Sequence, residues 1–199
     1  FCSVPKGAPR TPPDPSEPGH VARMAAGMLL RHAVITSVTR DDLADGGASH
    51  FARTVREVRA ALPQARIEVL TPDFRGDREA LGRVLEAGPD VFNHNLETVA
   101  RLYPRVRPQA DYRRSLEVLG FARRRRPDVL TKSGLMVGLG EAPQEVEESL
   151  RDLRAAGVQV ATIGQYLQPT RRNLPVAAYI RPEQFEAYRA YGLSIGFTM

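Results

Sequence analysis

The chain has 199 residues, of which 42% are hydrophobic, and it is therefore large enough to bury the core of a single domain. No apolar run approaches the roughly 18 residues of a membrane span, so we expect a soluble, cytoplasmic protein without a membrane partner. The net charge of +5 invites a nucleic-acid interpretation, but the arginines are spread along every segment and only 7% of residues are aromatic, so we expect no nucleic-acid partner.

Helices alternate with short β-rich runs along the chain, after a Pro-, Gly- and Ser-rich opening over residues 1–18 that predicts a loop. Such alternation predicts an α/β fold with βαβ units, a parallel sheet and right-handed crossovers. The predicted helices are residues 17–31 (with Ser16 as N-cap), 48–62, 77–87, 112–125, 144–156 and 182–191. The predicted strands are residues 32–38, 66–71, 90–96, 130–139 and 158–167, with one further strand beginning at 193–198.

Polar side chains cluster where four of the predicted strands end. Because the carboxyl ends of barrel strands share one rim, this clustering favours a barrel, or part of one, with its site at that rim. No Gly-x-Gly-x-x-Gly motif follows the first strand, which argues against a Rossmann fold. The polar pairs are Thr36 and Ser37, Thr71 and Asp73, Asn93 and Asn95, and Gln165 and Tyr166.

Residues 91–97 have the most unusual composition, since two of the three asparagines in the chain fall in one tetrapeptide. The two-residue period of a strand places Asn93, Asn95 and Glu97 on one face. His94 takes the other face, toward the helices, where we expect a structural histidine. A buried polar group without a partner costs about 1–3 kcal/mol, so the three polar side chains either cap neighbouring loops or bind a polyol or amino-acid ligand.

The next predicted strand is rich in glycine and contains a rare lysine. Gly134 and Gly138 mark either the close approach of a ligand or backbone, or the packing of a barrel layer. Only Lys6 and Lys132 among the 28 basic residues are lysine, so Lys132 is a candidate partner for a carboxylate. The heavy use of arginine is typical of a GC-rich bacterial genome.

The exit of the first strand is open to two interpretations. The hydroxyl groups of Thr36 and Ser37, with the carboxylates that follow, could hold an ammonium group. An ordinary helix cap by Asp41 or Asp45 explains the acidic residues equally well. Cys2 is the only cysteine, which excludes an internal disulfide framework and, by itself, an all-cysteine metal site.

Five stretches resemble the lipoyl synthase family, and together they extend over essentially the whole chain. They are residues 34–47 (VITSVTRDDLADGG), 72–76 (PDFRG), 90–98 (DVFNHNLET), 131–141 (TKSGLMVGLGE) and 164–169 (GQYLQP). The resemblance implies an α/β fold that is a partial TIM-type (β/α)6 barrel of the radical S-adenosylmethionine type. Residues 1–199 would then form one barrel domain that lacks its first strand and is truncated at both ends.

The resemblance also implies where the cofactors bind. Cys2 resembles the third cysteine of the Cys-x3-Cys-x2-Cys loop that binds a [4Fe-4S] cluster, and residues 1–18 would follow that motif. Residues 134–141 resemble the adenine-side Gly-x-Ile-x-Gly-x-x-Glu motif, with Met136 in place of Ile. The implied S-adenosylmethionine contacts are Thr36 and Ser37 to the amine, Asn93, Asn95 and Glu97 to the ribose, Lys132 to the carboxylate, Gly134, Met136 and Gly138 to the adenine, and Gln165, Tyr166 and Leu167 to the adenine or substrate side.

The activity implied is that of a sulfurtransferase that inserts two sulfur atoms at C6 and C8 of a protein-bound octanoyl chain. The implied partners are an octanoylated lipoyl-domain or glycine-cleavage H-type carrier protein and an electron donor such as ferredoxin or flavodoxin. A second, sacrificial [4Fe-4S] cluster would supply the sulfur. Since residues 1–199 contain one of the several thiolates required, we expect this length of chain alone to be inactive and its open barrel edge to favour aggregation.

Three other interpretations remain open at this point. One is a related radical enzyme of the biotin synthase type. The second is a cluster-free barrel such as an aldolase, with Lys132 as a Schiff-base nucleophile. The third is a basic nucleic-acid-binding domain, although the positive charge is better explained by steering of an acidic carrier domain.

Overall fold

The computed structural model describes residues 7, 9 and 11–198, so the predicted metal ligand Cys2 and much of the predicted opening loop lie outside the described residues. None of the helices in the described part combines the length and the apolar character needed to cross a membrane. The described helices are α1 (Glu17–Gly27), α2 (Ala48–Ala61), α3 (Arg78–Glu86), α4 (Tyr103–Val106), α5 (Tyr112–Arg125), α6 (Pro143–Ala155) and α7 (Pro182–Ser194). The strands are β1 (His32–Thr36), β2 (Arg66–Leu70), β3 (Val91–Asn93), β4 (Leu130–Val137) and β5 (Val160–Gln165).

Internal contacts divide the described chain into two units. The first unit comprises residues 7–93 and 121–130, and the second comprises residues 94–120 and 131–198. Strands alternate with helices in both units, which confirms the predicted α/β class.

The first unit contains three parallel strands, in which β1 pairs with β2 and β2 pairs with β3. Helix α2 packs against both α1 and α3. Ile67 and Val69 of β2 are fully buried, as are Val55 and Val58 of α2. Because side chains alternate along a strand, Glu68 projects from the opposite face of β2 to Ile67 and Val69.

The second unit contains β4 and β5, which pair in parallel so that Gly134 lies beside Thr162 and Met136 beside Gly164. Its core consists of apolar residues on one side of β4 and on the faces of the helices that cover it. Each fully buried leucine contributes about 1.5–3 kcal/mol relative to an exposed one. The leucines buried in this core cluster are Leu96, Leu119, Leu135, Leu150 and Leu153, and Leu102 and Leu139 are buried elsewhere in the same unit.

The ends of several elements differ from the prediction. The strand predicted over 193–198 is wrong, because α7 continues to Ser194 and Gly196 then turns the backbone with a φ of +97°. Phe197 is buried in the core of the second unit. Ser16 is the N-cap residue of α1, as predicted, but its hydroxyl donates to Asp14 Oδ1 at 2.7 Å and forms no hydrogen bond with a helix amide.

Candidate functional site

One face of β4 and β5 in the second unit carries three of the predicted site residues. Lys132, Gly134 and Met136 alternate along β4 with residues that are fully buried. Thr162 and Gly164 of β5 lie beside Gly134 and Met136 and are exposed. The face therefore combines small and polar residues with access to solvent, which is the composition that a ligand-binding face requires.

The segment His94–Glu97 (residues 94–97) leaves strand geometry directly after β3. It remains attached to β4 through the backbone of Glu97, whose N–H donates to the Gly134 carbonyl at 2.9 Å and whose carbonyl accepts from Met136 N at 2.8 Å. Glu97 has a φ of +70°, a left-handed conformation that few residues other than glycine adopt. Such a conformation costs about 1–3 kcal/mol and persists only where the surrounding structure imposes it.

The side chains of this segment meet those of β4 and β5. Asn95 Nδ2 donates to Glu97 Oε1 at 3.1 Å. A Cβ atom at Gly134 would lie 2.8 Å from Asn95 Oδ1 and 3.1 Å from Thr162 Oγ1. Because Gly134 has no Cβ, the Asn95 side chain can approach β4 closely. Asn95, Glu97 and Thr162 therefore lie close together at this point.

Burial raises the pKa of the Glu97 carboxyl group above its usual value. The hydrogen bond from Asn95 and the positive charge of Arg107 act in the opposite direction. A half-buried carboxylate with a raised pKa is a typical feature of functional sites.

The loop after β4 is held together by the last residues of the glycine motif. Glu141 accepts from the backbone N–H of Gly138 at 2.5 Å and from that of Leu139 at 2.9 Å. Gly138 has a φ of +97°, and a Cβ there would lie 2.5 Å from the Ala178 carbonyl oxygen. The carboxylate of Glu141 thus orders the loop, and Gly138 permits the close approach of the chain at Ala178.

Gln165, Tyr166 and Leu167, which the resemblance placed beside adenine or substrate, have different environments. The Gln165 amide donates to the Ala178 carbonyl at 3.1 Å and accepts from Ile180 N at 2.8 Å. Tyr166 is 2% exposed, and its hydroxyl donates to the Leu174 carbonyl at 2.9 Å. Leu167 is 65% exposed. Gln165 and Tyr166 therefore anchor residues 174–180, and Leu167 alone among the three presents its side chain to solvent.

The first unit contains a second group of polar residues, formed around Asn93. Asn93 is 6% exposed, and its Nδ2 donates to Glu68 Oε1 at 3.2 Å. Its Oδ1 is buried and has no hydrogen-bond partner in the described part of the chain. Glu68, which the sequence analysis missed, is also buried and lies 3.3 Å from His32 Nε2. A charged residue inside the otherwise apolar run of β2 is the signal that could have identified it.

Thr36 and Ser37 lie at the end of β1 and are exposed. Thr36 aligns with Leu70, which in turn aligns with Asn93, so Thr36 and Asn93 lie at the same level of the sheet in the first unit. Asp45 accepts from the backbone N–H groups of Gly47 and Ser49 at 3.0 and 2.8 Å at the start of α2. Asp45 thus accepts from an amide of the first turn of α2, whereas the N-cap residue itself is Gly47.

His94 has the structural environment expected of it, since it is buried and its Nε2 lies 3.1 Å from Ser115 Oγ. Within the residues that the structure describes, no group of three or more His, Cys, Asp or Glu side chains could hold a metal ion. The predicted metal ligand Cys2 belongs to the part that is not described.

The chain is similar in sequence to a known protein family and to several of its members. Residues 1–153 match the Radical SAM superfamily. The chain is 57% identical over 198 residues to the lipoyl synthase of Rubrobacter xylanophilus, covering 100% of this chain and 61% of that protein. It is 55% identical over 197 residues to the lipoyl synthase of Caldanaerobacter subterraneus, covering 99% of this chain and 69% of that protein. The chain thus spans about three fifths of the length of the first relative.

Solved structures agree at the level of the fold. The chain superposes on methylornithine synthase with a TM-score of 0.71 and 16% identity, covering 95% of this chain and 54% of the other. It superposes on coproporphyrinogen III oxidase from Escherichia coli, a radical SAM enzyme, with a TM-score of 0.64 and 15% identity, covering 90% and 44% of the two chains. At these identities the similarity concerns the fold alone, and it confirms the predicted α/β fold of the radical SAM type.

Proposed function

The chain belongs to the lipoyl synthase family of the radical SAM superfamily, and on this premise we propose that the full protein inserts two sulfur atoms at C6 and C8 of a protein-bound octanoyl chain. The observation that carries the proposal is the contact group of Asn95, Glu97 and Gly134. These residues come from two separate motifs of the family, and they meet on the open face of β4.

Each unit, taken by itself, contains polar acceptors that suit the hydroxyl or ammonium donors of a cofactor. In the second unit, Oε1 of Glu97 accepts from Asn95, and Oε2 accepts no hydrogen bond among the described residues. In the first unit, the buried Oδ1 of Asn93 has no donor among the residues that the structure describes. Leaving such an atom unpaired costs about 1–3 kcal/mol, and a hydroxyl or ammonium group of a ligand would remove that cost.

S-adenosylmethionine offers these donors, and we assign its parts to the residues carried over from the family. Thr36 and Ser37 would contact the amine, and Lys132 the carboxylate. Asn93, Asn95 and Glu97 would accept from the ribose, whereas Gly134, Met136 and Gly138 would lie along the adenine. Leu167 would contact the adenine or the octanoyl chain, with Gln165 and Tyr166 behind it as supports.

Cys2 would provide one thiolate to the [4Fe-4S] cluster of the radical SAM loop. When bound, that cluster and S-adenosylmethionine supply the radical chemistry that activates the two C–H bonds, and a second cluster supplies the sulfur. The residues of this chain contribute binding, orientation and the exclusion of water. The exposed apolar side chain of Leu167 suits an alkyl chain better than a polar substrate.

The same proposal includes an octanoylated lipoyl-domain or H-type carrier protein, a ferredoxin- or flavodoxin-type electron donor, and a cytoplasmic location. The net charge of +5 supports an acidic carrier, because opposite net charges accelerate the encounter of two proteins.

The test uses the protein expressed from its complete gene and reconstituted anaerobically with iron and sulfide. Iron content and the product mass from an octanoylated peptide are measured with S-adenosylmethionine and a reductant. Two clusters and two added sulfur atoms are expected. Cleavage of S-adenosylmethionine without sulfur insertion would assign the protein a different radical reaction.

The cofactor site is tested separately by the affinity for S-adenosylmethionine. Asn95→Ala removes the hydrogen bond to Glu97, and we expect it to weaken binding about tenfold. Asn173→Ala, in the exposed loop after β5, is the matched control and should bind normally. Equal affinities of the two variants would contradict the assignment of Asn95.

A further inference from the structure

Arg107, which follows α4, lies half-buried behind the segment His94–Glu97. Its Nη1 donates to the Asn95 carbonyl at 3.1 Å and to the Leu96 carbonyl at 3.4 Å. The same nitrogen is 3.2 Å from the Tyr103 hydroxyl, and the guanidinium carbon is 5.5 Å from the centre of the Tyr103 ring. One cation thus contacts two consecutive carbonyl groups of the segment that carries the candidate site.

β3 ends at Asn93, and in the segment that follows the Leu96 carbonyl accepts from the backbone N–H of Thr98 at 2.9 Å. A buried backbone carbonyl must be hydrogen-bonded, and those of Asn95 and Leu96 accept from Arg107. The Leu96 carbonyl also accepts from the Tyr103 hydroxyl at 2.7 Å, and its N–H donates to Ser133 Oγ at 3.2 Å. Arg107 is therefore part of a network that replaces the strand ladder at this point.

The network lies next to Glu97, whose backbone conformation is energetically unfavourable and must be stabilised by surrounding contacts. Glu97 is left-handed, with a φ of +70°, and its own N–H and carbonyl are bonded to β4. Those two bonds hold the C-terminal end of the segment, and Arg107 and Tyr103 hold the two residues before it. The segment is thereby held from both sides, which is what a strained conformation requires to persist.

Arg107 also acts on Glu97 through its charge. Burial raises the pKa of the Glu97 carboxyl group, whereas the hydrogen bond from Asn95 and the positive charge of Arg107 lower it. The Tyr103 phenol, whose own pKa burial raises, also lies close enough to interact with this carboxyl group.

We propose that Arg107 is a positioning residue for the S-adenosylmethionine site, which directs the Glu97 carboxylate toward the cofactor by anchoring the carbonyl groups of Asn95 and Leu96. The inference rests on the proposed function, because it assigns the same ligand to Glu97. Arg107 touches no cofactor atom in this assignment. It acts through the backbone of the segment and through its charge.

The experiment measures the dissociation constant of S-adenosylmethionine for the reconstituted full-length protein between about pH 5 and about pH 8, a range that a raised glutamate pKa can enter. We expect Arg107→Ala to weaken binding about tenfold at neutral pH. Removal of the positive charge raises the pKa of Glu97. When the pH is lowered, the affinity of Arg107→Ala should therefore begin to fall at a higher pH than the affinity of the parent protein. Arg105→Ala, an exposed arginine of α4, is the control and should match the parent protein.

Arg107→Lys separates charge from geometry. Lysine keeps the charge but lacks the planar guanidinium group, so we expect the pH profile of the parent with an affinity between those of the parent and Arg107→Ala. Should Arg107→Ala not fold, Arg107→Lys still tests the proposal. A lysine variant with the full affinity of the parent would then overturn the geometric role.

Glu97→Gln distinguishes failure of this inference from failure of the proposed function. If Glu97→Gln binds S-adenosylmethionine as the parent does, the assignment of Glu97 is wrong and the inference falls with it. If Glu97→Gln weakens binding while Arg107→Ala changes neither affinity nor pH profile, only the role of Arg107 is overturned. If Arg107→Ala weakens S-adenosylmethionine binding by the same factor at every pH, Arg107 has only a structural role and the inference is also overturned.

Discussion

At the scale of residues, the glycines of the motif 134–141 are needed for contacts within the chain itself. Gly134 admits the Asn95 amide, and Gly138 admits the Ala178 carbonyl. Glu141 of the same motif is bonded to two backbone amides of its own loop. The motif therefore orders this part of β4 and the loop after it through contacts within the chain, and its glycines allow neighbouring groups to approach closely.

Gly138→Ala tests this role directly. We expect a loss of more than about 2 kcal/mol in the free energy of unfolding, because the added Cβ meets a backbone oxygen and the positive φ is strained for alanine. Gly164→Ala is the matched control, since a Cβ there meets nothing within 4 Å. It should change stability by less than about 1 kcal/mol. Urea unfolding of the full-length variants measures both, and equal losses would contradict the steric explanation.

The two asparagines of residues 91–97 form hydrogen bonds whose partners the sequence pattern does not distinguish. Asn93 and Asn95 are adjacent members of one sequence pattern, yet Asn95 reaches Glu97 whereas Asn93 bonds Glu68. Glu68 was not predicted as a site residue, although a charged residue between the apolar neighbours of a strand is a signal that the sequence offers. Its importance appears only when the parallel pairing of β2 and β3 brings it beside Asn93.

At the scale of elements, the first turns of the helices differ in how they are stabilised. Asp77 caps α3, with its carboxylate accepting from Glu79 N at 2.8 Å and Ala80 N at 3.3 Å. Ser16 occupies the corresponding position of α1 without a capping hydrogen bond. Both residues have the chemistry of an N-cap, and the sequence alone does not distinguish them.

The two helix starts therefore make a matched pair for mutation. Asp77→Ala should lower the free energy of unfolding by about 1 kcal/mol, because it leaves two backbone amides without an acceptor. Ser16→Ala should change it by less than about 0.5 kcal/mol, as for a surface substitution. Chemical denaturation of the full-length variants provides the measurement. A loss in Ser16→Ala as large as that in Asp77→Ala would indicate that its hydroxyl does cap α1 in solution.

At the scale of the whole molecule, the excess of arginine is partly compensated by local ion pairs. Arg40 pairs with Asp42 and Arg126 with Asp128, for example, and such exposed pairs contribute little to stability. Arg171 and Arg172, in the exposed loop after β5, form no ion pair within the described residues. Their positive charge is therefore free to attract a partner.

Charge reversal of this pair tests the proposed carrier. Arg171→Glu with Arg172→Glu should slow association with an acidic octanoylated carrier about tenfold at low ionic strength, and added salt should reduce the difference. Arg56→Glu with Arg78→Glu makes the same change in net charge at exposed positions of α2 and α3. Stopped-flow association rates compare the two. If both pairs slow association equally, net charge alone is responsible and the loop has no special role.

The sequence by itself determined the α/β class, the range of α5 and the order of strands and helices, because these follow from local periodicity and from turn residues. The family motifs in the sequence also supplied the candidate site residues whose roles are proposed above. Only the tertiary structure decided that Glu97 is left-handed, that Arg107 supports it and that Gln165 and Tyr166 anchor residues 174–180. Such contacts join positions far apart in the chain, and their geometry depends on strand pairing and on the satisfaction of buried polar groups, which no local pattern encodes.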